Sequence, residues 1–494
     1  SRIGGVPCDV KPVWVICGRR RVHMCFMLIG GKNAFKNGIM LGGHNDDLFG
    51  YEAASMEILP HMIQEPGASV KLPTGPVIPQ TRETARCILL KTFRGNLAGD
   101  TIAVNEHNVC LMGGENLAVD RNDRAAEADP IVENGVAGGV RFAALTQSRT
   151  ARECVERIGR YYTEYGNRFP CAVGVFDTEE AWYIEGGGGS TWLAVRVPDD
   201  CYLIQSNGYR INEIDWDDTE NVLYSEGLKE FVISKGLWDP AAGPFNWAKA
   251  FGRKFLEDPR TYYYNSRRVW RAINMLSSTE LGPDQEEYPT FMKPSEPITA
   301  ERIMQLLRDT NHDNDFCAFT EGGINSEVRP IGVPHCIHSA VVELHRGLPA
   351  ELGGVLWSCL GSPLTAPYLP HHFGITDIAP AFQEGTDIYS DSSAFWQMRK
   401  LTNLAMADFF HYAPIITKEW MKLERKAFLM KEMVEREASA CYESEPEKAK
   451  ELLTAFADSL DFEALNTAKR LEEQLHRAIA GNLYKYFAKG NLQW

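Results

Sequence analysis

Cys25 stands where a cysteine could act as a nucleophile. It opens an apolar run over residues 25–29, which predicts a β-strand, and Met24 precedes it. If everything up to Met24 were removed, Cys25 would carry a free α-amine with an ordinary pKa of about 8, which could accept the thiol proton. Nucleophile and base would then belong to one residue, and the thiolate is the reactive form of cysteine. The alternative is a buried strand cysteine, which composition and spacing taken alone favour.

A predicted β-hairpin brings a polar cluster towards the start of this strand. Residues 37–38, Asn-Gly, are a strong turn dipeptide, and the apolar residues 39–41 predict the returning strand. An antiparallel ladder about this turn places Cys25 opposite about Asn45. The cluster His-Asn-Asp-Asp at 44–47 is therefore expected beside Cys25.

The rest of the chain alternates predicted strands with predicted helices. The helix with the clearest period is 151–165, where apolar residues recur at helical spacing between charges. Short apolar runs predict further strands at 101–105, 109–112, 172–176, 181–184, 340–344 and 354–357. After about residue 385 the helical pattern dominates, at 394–410, 418–440 and 449–488. We therefore expect an α+β protein with a C-terminal helical extension.

The composition is that of a globular protein and excludes several classes of function. Of 494 residues, 44% are hydrophobic and 24% are charged, which argues against disorder. The net charge of −15 lacks the basic footprint of a protein that binds nucleic acid or anionic membranes. No apolar run approaches the roughly 20 residues that span a bilayer. The twelve cysteines include no CxxC pair, so a zinc ribbon has no support and a reducing, cytoplasmic location is expected.

Several blocks of the sequence, all in one order, resemble the PepD-type dipeptidases, which with the secernins form one family of N-terminal-nucleophile (Ntn) hydrolases. At 25–32 the chain reads CFMLIGGK where relatives typically read CTTxxxGK, and at 44–47 it reads HNDD where they read RNED. Further blocks of similarity lie at 103–107, 128–130, 197–200, 264–270, 329–331, 360–363 and 393–401. Several matching blocks are more specific than one short motif, so the chain is identified as a member of this family.

The resemblance implies an αββα four-layer sandwich that hydrolyses the amide bond of dipeptides without a metal or cofactor. Carried over to this sequence, Cys25 is the nucleophile and, through its free amine, the general base. Asp47 matches the carboxylate that holds the N-terminal residue. Asn207 matches an amide of the oxyanion hole, whose NH₂ group stabilises negative charge without ionising. Arg268 sits where relatives have an arginine near the nucleophile, and Arg267 competes for that place.

Three more residues are expected to contact the substrate. Asn45 belongs to the cluster that the hairpin returns to Cys25, and Asn105 follows a predicted strand. Asn105 could equally be an asparagine of a hairpin turn. His44 occupies a position where relatives usually carry arginine. Because imidazole is shorter and mostly neutral at pH 7, we expect the substrate preference to differ from that of these relatives.

The residues before Cys25 decide whether this chemistry is available. An intact bond between Met24 and Cys25 makes the nitrogen an amide, which is not a base. Segment 1–24 could be a propeptide removed by autoproteolysis, an upstream extension with Met24 as the initiator, or a permanent block in a non-catalytic homologue. The expected division is this segment, an Ntn-hydrolase domain at 25–385 and a helical extension at 386–494.

The favoured function is a cysteine-type dipeptidase with an acyl-enzyme at Cys25. Two alternatives stay open. One is an acylase of the same fold that acts on N-acyl amides or lactams, and the other is a non-catalytic, secernin-like protein with an unprocessed N-terminus. The expected partner is a small dipeptide-like substrate, with neither nucleic acid nor a membrane. A homo-oligomer is also expected, although the Lys- and Glu-rich helices after residue 418 are most simply solvated faces with oligomer contact as an option.

Overall fold

The computed structural model describes residues 24–48, 50–94, 97–253 and 259–489. Apart from Met24, the expected N-terminal segment 1–24 therefore lies outside the described residues. The strands are β1 Met24–Gly30, β2 Met40–Asp47, β3 Ala54–Leu59, β4 Met62–Ile63, β5 Ser69–Lys71, β6 Val77–Pro79, β7 Glu83–Thr84, β8 Cys87–Arg94, β9 Leu97–Asn105, β10 Cys110–Asn116, β11 Cys171–Phe176, β12 Ala181–Gly186, β13 Trp192–Arg196, β14 Tyr202–Gln205, β15 Val222–Tyr224, β16 Phe319–Thr320, β17 Gly323–Ile324, β18 Cys336–Leu344, β19 Gly354–Leu360 and β20 Leu369–His372.

The α-helices and short 3-10 helices connect and cover these strands. The α-helices are α1 Asp123–Ala128, α2 Val140–Leu145, α3 Ala151–Tyr165, α4 Leu228–Ser234, α5 Trp247–Phe251, α6 Pro259–Leu276, α7 Ala300–Leu307, α8 Ala350–Gly353, α9 Pro380–Gln383, α10 Ala394–Ala405, α11 Phe409–Tyr442 and α12 Pro446–Lys489. The 3-10 helices are Lys32–Ala34, Lys36–Gly38 and Pro240–Ala242.

Two large antiparallel sheets form the centre of the described part of the chain. The first has six strands in the order β14-β1-β2-β18-β19-β20, and the second has eight in the order β15-β13-β12-β11-β10-β9-β8-β3. β1 has β14 on one side and β2 on the other. The strand that carries Cys25 is therefore held by hydrogen-bonded ladders on both of its edges.

The two sheets pack face to face, and glycines allow them to approach closely. A Cβ atom added to Gly42 of β2 would lie 2.6 Å from a ring carbon of Phe176 in β11. A Cβ atom added to Gly174 of β11 would lie 2.8 Å from Sδ of Met27 in β1. Because side chains alternate along a strand, Cys25 shares this inner face with Met27.

Helices cover the outer face of each sheet. On the eight-stranded sheet, Cys154 and Ile158 of α3 join an apolar layer with residues of α2 and of the strands. On the six-stranded sheet, a Cβ atom added to Gly43 of β2 would lie 2.3 Å from Ile303 of α7. The layers thus follow the order helix, sheet, sheet, helix. This confirms the expected α+β class and the αββα sandwich.

The strongest sequence patterns are confirmed in position as well as in type. α3 begins at Ala151 and ends at Tyr165, as its apolar period predicts, and Thr150 caps it by accepting the N–H of Glu153. The predicted hairpin at 172–184 is the pair formed by β11 and β12.

The predicted helix at 394–410 is wrong at its C-terminal end. α10 ends at Ala405, and α11 begins at Phe409 because Asp408 accepts the N–H of His411 and caps a new helix. α11 packs against the six-stranded sheet, where Phe428 lies over Trp357 of β19 with ring centroids 4.1 Å apart. None of the described helices is both long enough and apolar enough to cross a lipid bilayer.

A buried ion cluster joins α11 to the six-stranded sheet. Nζ of Lys431 lies 3.0 Å from Oε2 of Glu343 in β18 and 3.1 Å from Oε1 of Glu435. Nε1 of Trp357 donates to the other Glu343 oxygen at 2.6 Å. Burial alone would raise the pKa of Glu343, but Lys431 and then His345 lower it to about 2. The Glu343 charge therefore stabilises the fold above its ordinary pKa of 4.5, and this contribution is lost as the pH falls towards 2.

We expect Lys431→Met to destabilise the protein far more than Lys426→Met. Removing Lys431 leaves the buried Glu343 carboxylate without its cation, which costs about 3 kcal/mol or more. Lys426 pairs with Glu463 at the surface, where an ion pair contributes less than about 1 kcal/mol. Thermal unfolding followed by circular dichroism at pH 7 measures both variants. Equal shifts of the two midpoints would contradict the structural role of the cluster.

Candidate active site

The register of β1 against β2 decides which carboxylate faces the Cys25 thiol. The structure pairs Cys25 with Asp46 and Met24 with Asp47. The hairpin pattern placed Cys25 opposite about Asn45, one residue short of this pairing. Directly opposite residues point to the same face of a sheet. A shift of the register by one residue therefore changes which side chains of β2 share a face with Cys25. Asp46 shares the inner face with Cys25, and its two neighbours in β2 point outwards.

Asp46 connects the Cys25 thiol to two other buried side chains. Sγ of Cys25 lies 3.4 Å from Oδ1 of Asp46. Oδ2 of the same carboxylate lies 3.4 Å from Nε2 of His338 in β18. It also accepts the hydroxyl of Thr92, from β8 of the facing sheet, at 3.3 Å. The thiol therefore ends a chain of polar contacts that reaches into both sheets.

Both backbone polar groups of Cys25 are held by side chains. Its N–H donates to Oδ1 of Asn207 at 2.8 Å. Its carbonyl oxygen accepts from Nη1 of Arg268 at 2.7 Å. With the thiol against Asp46, each polar group of Cys25 has a partner, and a nucleophile held in this way keeps one orientation.

Asn207 follows β14, the neighbour of β1 on the side away from β2. Its backbone φ of 69° is left-handed, which asparagine tolerates better than most residues do. Cys25 and Arg268 both donate hydrogen bonds to its side chain, so the atom that faces them is the oxygen Oδ1. The donor end of the amide, Nδ2, consequently points away from the Cys25 nitrogen.

Arg268 of α6 joins Cys25 and Asn207 into one unit. Its Nη2 donates to the carbonyl of Ser206 at 2.9 Å and to Oδ1 of Asn207 at 3.1 Å. The same nitrogen lies 2.9 Å from Oδ1 of Asn265. These partners are all acceptors of the protein itself. The guanidinium therefore ties the start of β1 to the end of β14 and to its own helix.

Arg267, the competing arginine, pairs with a different part of the protein. Its Nε and Nη2 donate to the carboxylate of Asp284 at 2.7 and 3.0 Å, and its guanidinium lies over the ring of Phe316. The arginine beside Cys25 is therefore Arg268, which resolves the choice that the sequence left open.

Asp47 points to the outer face of the six-stranded sheet and forms a buried ion pair. Nη2 of Arg329 donates to its Oδ2 at 2.5 Å. Across the ladder Asp47 stands opposite Met24, so it lies near the peptide bond between Met24 and Cys25. The expectation that Asp47 holds a freed N-terminus stays a prediction.

Asn45 is occupied on the outer face, away from the thiol. Its Nδ2 donates to the carbonyls of Leu307, at the end of α7, and Ile331, at 2.9 and 3.1 Å. The structure does not bring this amide to the inner face. The expected substrate contact is therefore corrected to a structural link between β2 and the segments that cover it.

Asn105 closes a hairpin turn in the eight-stranded sheet. Its Nδ2 donates to the carbonyls of Leu145 and Ser148, and its Oδ1 accepts two backbone N–H groups of its own turn. It pairs with Cys87, five residues along β8 from the Thr92 that reaches the site. That separation is roughly 17 Å along the strand. The expectation of a site contact is corrected, and the turn interpretation accounts for all of these bonds.

His44 lies on the inner face, two residues from Asp46. It is fully buried, and its ring centroid lies 6.3 Å from that of His338. The position is close to the groups around the thiol but solvent does not reach it. A role of His44 in substrate binding stays a prediction.

Sequence reasoning does not find Asp46, His338 or Thr92 as site residues. For Asp46 a signal exists, since a hairpin register shifted by one residue would have placed it opposite Cys25. For His338 and Thr92 no local signal exists. They reach Asp46 only because β18 pairs with β2 and because β8 lies in the sheet that faces it.

The structure shows Cys25 with Met24 still attached, since both belong to β1. The Cys25 side chain is 3% exposed. In this form the nucleophile is in place, but its nitrogen is part of a peptide bond and cannot act as a base. Among the described residues, no group of three or more His, Cys, Asp or Glu side chains could hold a metal ion.

Most of the chain matches the model of one known protein family. The model of peptidase family C69 matches residues 24–422. The chain belongs to peptidase family C69. The match begins one residue before Cys25 and includes both large sheets, which confirms the resemblance found in the sequence.

Curated relatives with similar sequences carry the names of dipeptidases. A probable dipeptidase B of Streptococcus pyogenes serotype M1 is 26% identical over 483 residues, which cover 94% of this chain and 93% of that protein. A probable dipeptidase of Latilactobacillus sakei is 26% identical over 386 residues, which cover 76% of this chain and 80% of that protein. The similarity to these relatives is thus spread over most of both chains.

Among solved structures, a mutant conjugated bile acid hydrolase from Clostridium perfringens covers 72% of this chain and 91% of its own. The sequences are 10% identical and the TM-score is 0.27. A likeness of this size supports no argument about the site.

We expect Arg268→Met to lower kcat/KM for a dipeptide by roughly 100-fold or more, because a nucleophile that loses its orientation reacts far more slowly. The matched variant Arg267→Met removes a partly exposed ion pair and a contact with the Phe316 ring, so kcat/KM should stay within about twofold. Arg268→Lys keeps the charge but loses the planar fork, so it should recover activity only in part. Steady-state kinetics and melting temperatures separate a loss of function from a loss of folding. Arg268→Met with normal turnover would contradict the assignment.

We expect Asp46→Asn to lower kcat by roughly 100-fold while KM changes little, because Asp46 contacts the thiol and orients it. Thr92→Val removes another contact of the same carboxylate but keeps its charge, so its effect should be much smaller. Initial rates over a range of dipeptide concentrations give the two parameters. If both variants behave like the unmodified protein, Asp46 does not position the nucleophile.

Proposed function

We propose that the chain is a cysteine-type dipeptidase that hydrolyses the amide bond of a dipeptide through a thioester at Cys25. The observation that carries the proposal is the fixed nucleophile, with its carbonyl, nitrogen and thiol held by Arg268, Asn207 and Asp46. Membership of peptidase family C69 and the dipeptidase names of the curated relatives support the reaction and the substrate class.

The reaction needs the α-amine of Cys25 and therefore begins after removal of the residues up to Met24. The amine takes the thiol proton, and Sγ attacks the carbonyl carbon of the substrate. The carbonyl electrons move to the oxygen, where Nδ2 of Asn207 stabilises the developing charge. The ammonium then gives its proton to the leaving nitrogen as the C–N bond breaks, and the carboxyl-terminal residue leaves as a free amino acid.

The second half of the reaction uses the same amine. Water loses a proton to the amine and attacks the thioester carbonyl, and the C–S bond breaks. The thiolate recovers the proton, and the amino-terminal residue of the substrate leaves as a free amino acid. In this scheme Asp47, opposite Met24 in the ladder, orients the freed amine.

The proposal also includes the kind of partner that the protein binds. The partner is a small peptide substrate. A cytoplasmic location and a homo-oligomer stay predictions from the sequence, as does the division into segments 1–24, 25–385 and 386–494.

We expect Cys25→Ala to abolish dipeptide hydrolysis, because the variant lacks the sulfur on which the proposed thioester forms. Cys441→Ala, which changes a partly exposed free cysteine of α11, should keep full activity. Release of amino acids from a panel of free dipeptides measures the effect. A matching panel of N-acyl amides and lactams separates a dipeptidase from an acylase.

The intact mass of the active protein provides the control for the N-terminus. The proposal requires an active fraction that begins at Cys25, because only then is the amine free. Full turnover by a chain that still carries Met24 would contradict the role of the amine, whatever the result for Cys25→Ala.

A further inference from the structure

A cleft of about 610 Å³ opens beside the start of β1. It reaches the site through Arg329, which lines the cleft and donates to Asp47, the residue opposite Met24. Arg399 of α10 also lines the cleft, and its Nη2 donates to the carbonyl of Cys336 at 2.6 Å. Pockets of this volume are typical of sites for small ligands.

The cleft adjoins the strand ends that surround Met24. Cys336 of β18 pairs with Asp47 of β2, which in turn pairs with Met24 of β1. Two steps between neighbouring strands amount to about 10 Å, and Arg399 of α10 lies at the far step, beside the carbonyl of Cys336. The cleft therefore extends from Arg329, beside the start of β1, to Arg399.

The walls of the cleft are largely apolar. Two of the wall side chains, Ile324 and Met406, are 51% and 43% exposed although they are apolar. Surfaces of this kind bind the apolar side chain of a ligand. The larger apolar residues that line the cleft are Tyr51, Phe319, Ile324, Val328, Val333, Trp396 and Met406.

The buried charges at the cleft do not balance. Arg329 has the carboxylate of Asp47 as its partner, whereas within the described part of the chain Arg399 donates to two carbonyls, those of Pro334 and Cys336. Its Nε has no hydrogen-bond partner among the described residues. Burial lowers the pKa of Arg399 to about 10, so it is still charged at pH 7. No Asp or Glu is among the described residues that line the cleft, so one positive charge is left over.

We propose that this cleft binds the carboxyl-terminal residue of the dipeptide, with its free α-carboxylate at Arg399 and a bulky apolar side chain along the wall that includes Phe319 and Trp396. The inference rests on the proposed function and adds the orientation in which the dipeptide binds. The residue bound here is the one that leaves as a free amino acid when the thioester forms. An α-ammonium group would meet the surplus positive charge and is disfavoured in the cleft.

The proposal fixes a preference among substrates. Dipeptides that end in phenylalanine or leucine should be better substrates than those that end in glycine or lysine. A dipeptide amide, which lacks the carboxylate, should have a KM higher by roughly tenfold or more. Free phenylalanine should inhibit as a product, and phenylalaninamide should inhibit much more weakly.

The test adds a negative charge to the cleft wall. Met406→Glu should raise the KM of alanyl-phenylalanine by roughly tenfold, because the new carboxylate repels that of the substrate. The KM of alanyl-phenylalaninamide should change far less. Met421→Glu is the matched control, since Met421 of α11 is equally exposed, at 42%, but does not line the cleft. It should leave both KM values unchanged, and melting temperatures show whether the variants are folded.

Binding of free phenylalanine by calorimetry separates the two proposals, because it needs no turnover. If the unmodified protein hydrolyses no dipeptide, the proposed function fails, while tighter binding of phenylalanine than of phenylalaninamide, weakened by Met406→Glu alone, still supports the cleft. If dipeptides are hydrolysed but the carboxylate makes no difference to KM or to binding, the cleft proposal is overturned. The same holds if Met406→Glu and Met421→Glu behave alike.

Discussion

One buried guanidinium holds the nucleophile and its amide partner together. Arg268 reaches from α6 to the ends of two neighbouring strands, where it donates to the carbonyl of Cys25 and to the side chain of Asn207. Because a buried cation is costly to leave without acceptors, the ends of β1 and β14 are tied to each other through it. The position of the Cys25 sulfur thus depends on a buried charge of the neighbouring helix. The helix is as much a part of the site as the strand that begins with Met24.

Because β2 is pleated, its two neighbouring carboxylates point to opposite faces of the sheet and make different contacts. Asp46 points between the sheets and contacts the thiol, whereas Asp47 points outwards and pairs with Arg329 at the cleft. The contacts of the Cys25 thiol and the proposed substrate cleft therefore lie close to each other, at the start of β1. α10 also contributes to the outer side of this sheet. Its Arg399 donates to the carbonyl of Pro334, which follows Arg329 along the chain. The C-terminal helices consequently cover the six-stranded sheet and also form part of the cleft.

The resemblance to a known family found those residues of the site that lie in matching blocks. Cys25, Asn207 and Arg268 are far apart in the sequence, and the structure brings all three into contact. The two asparagines expected at the substrate, Asn45 and Asn105, turned out to be structural. A polar residue next to a strand end has no local feature that shows whether its hydrogen bonds go to a ligand or to the backbone of its own fold.

The sequence by itself determined the local elements, and the family resemblance of its motifs singled out Cys25 as the expected nucleophile. α3 and the hairpin of β11 and β12 follow from the periods of their apolar residues, because neighbours along the chain set these patterns. Only the tertiary structure decided which side chains of β1 and β2 point to the inner face between the sheets. A shift of one residue in the pairing of β1 with β2 selects Asp46 as the partner of the thiol. His338 and Thr92 join it from strands that are distant along the chain, since the order of strands in one sheet and the packing of two sheets bring them there.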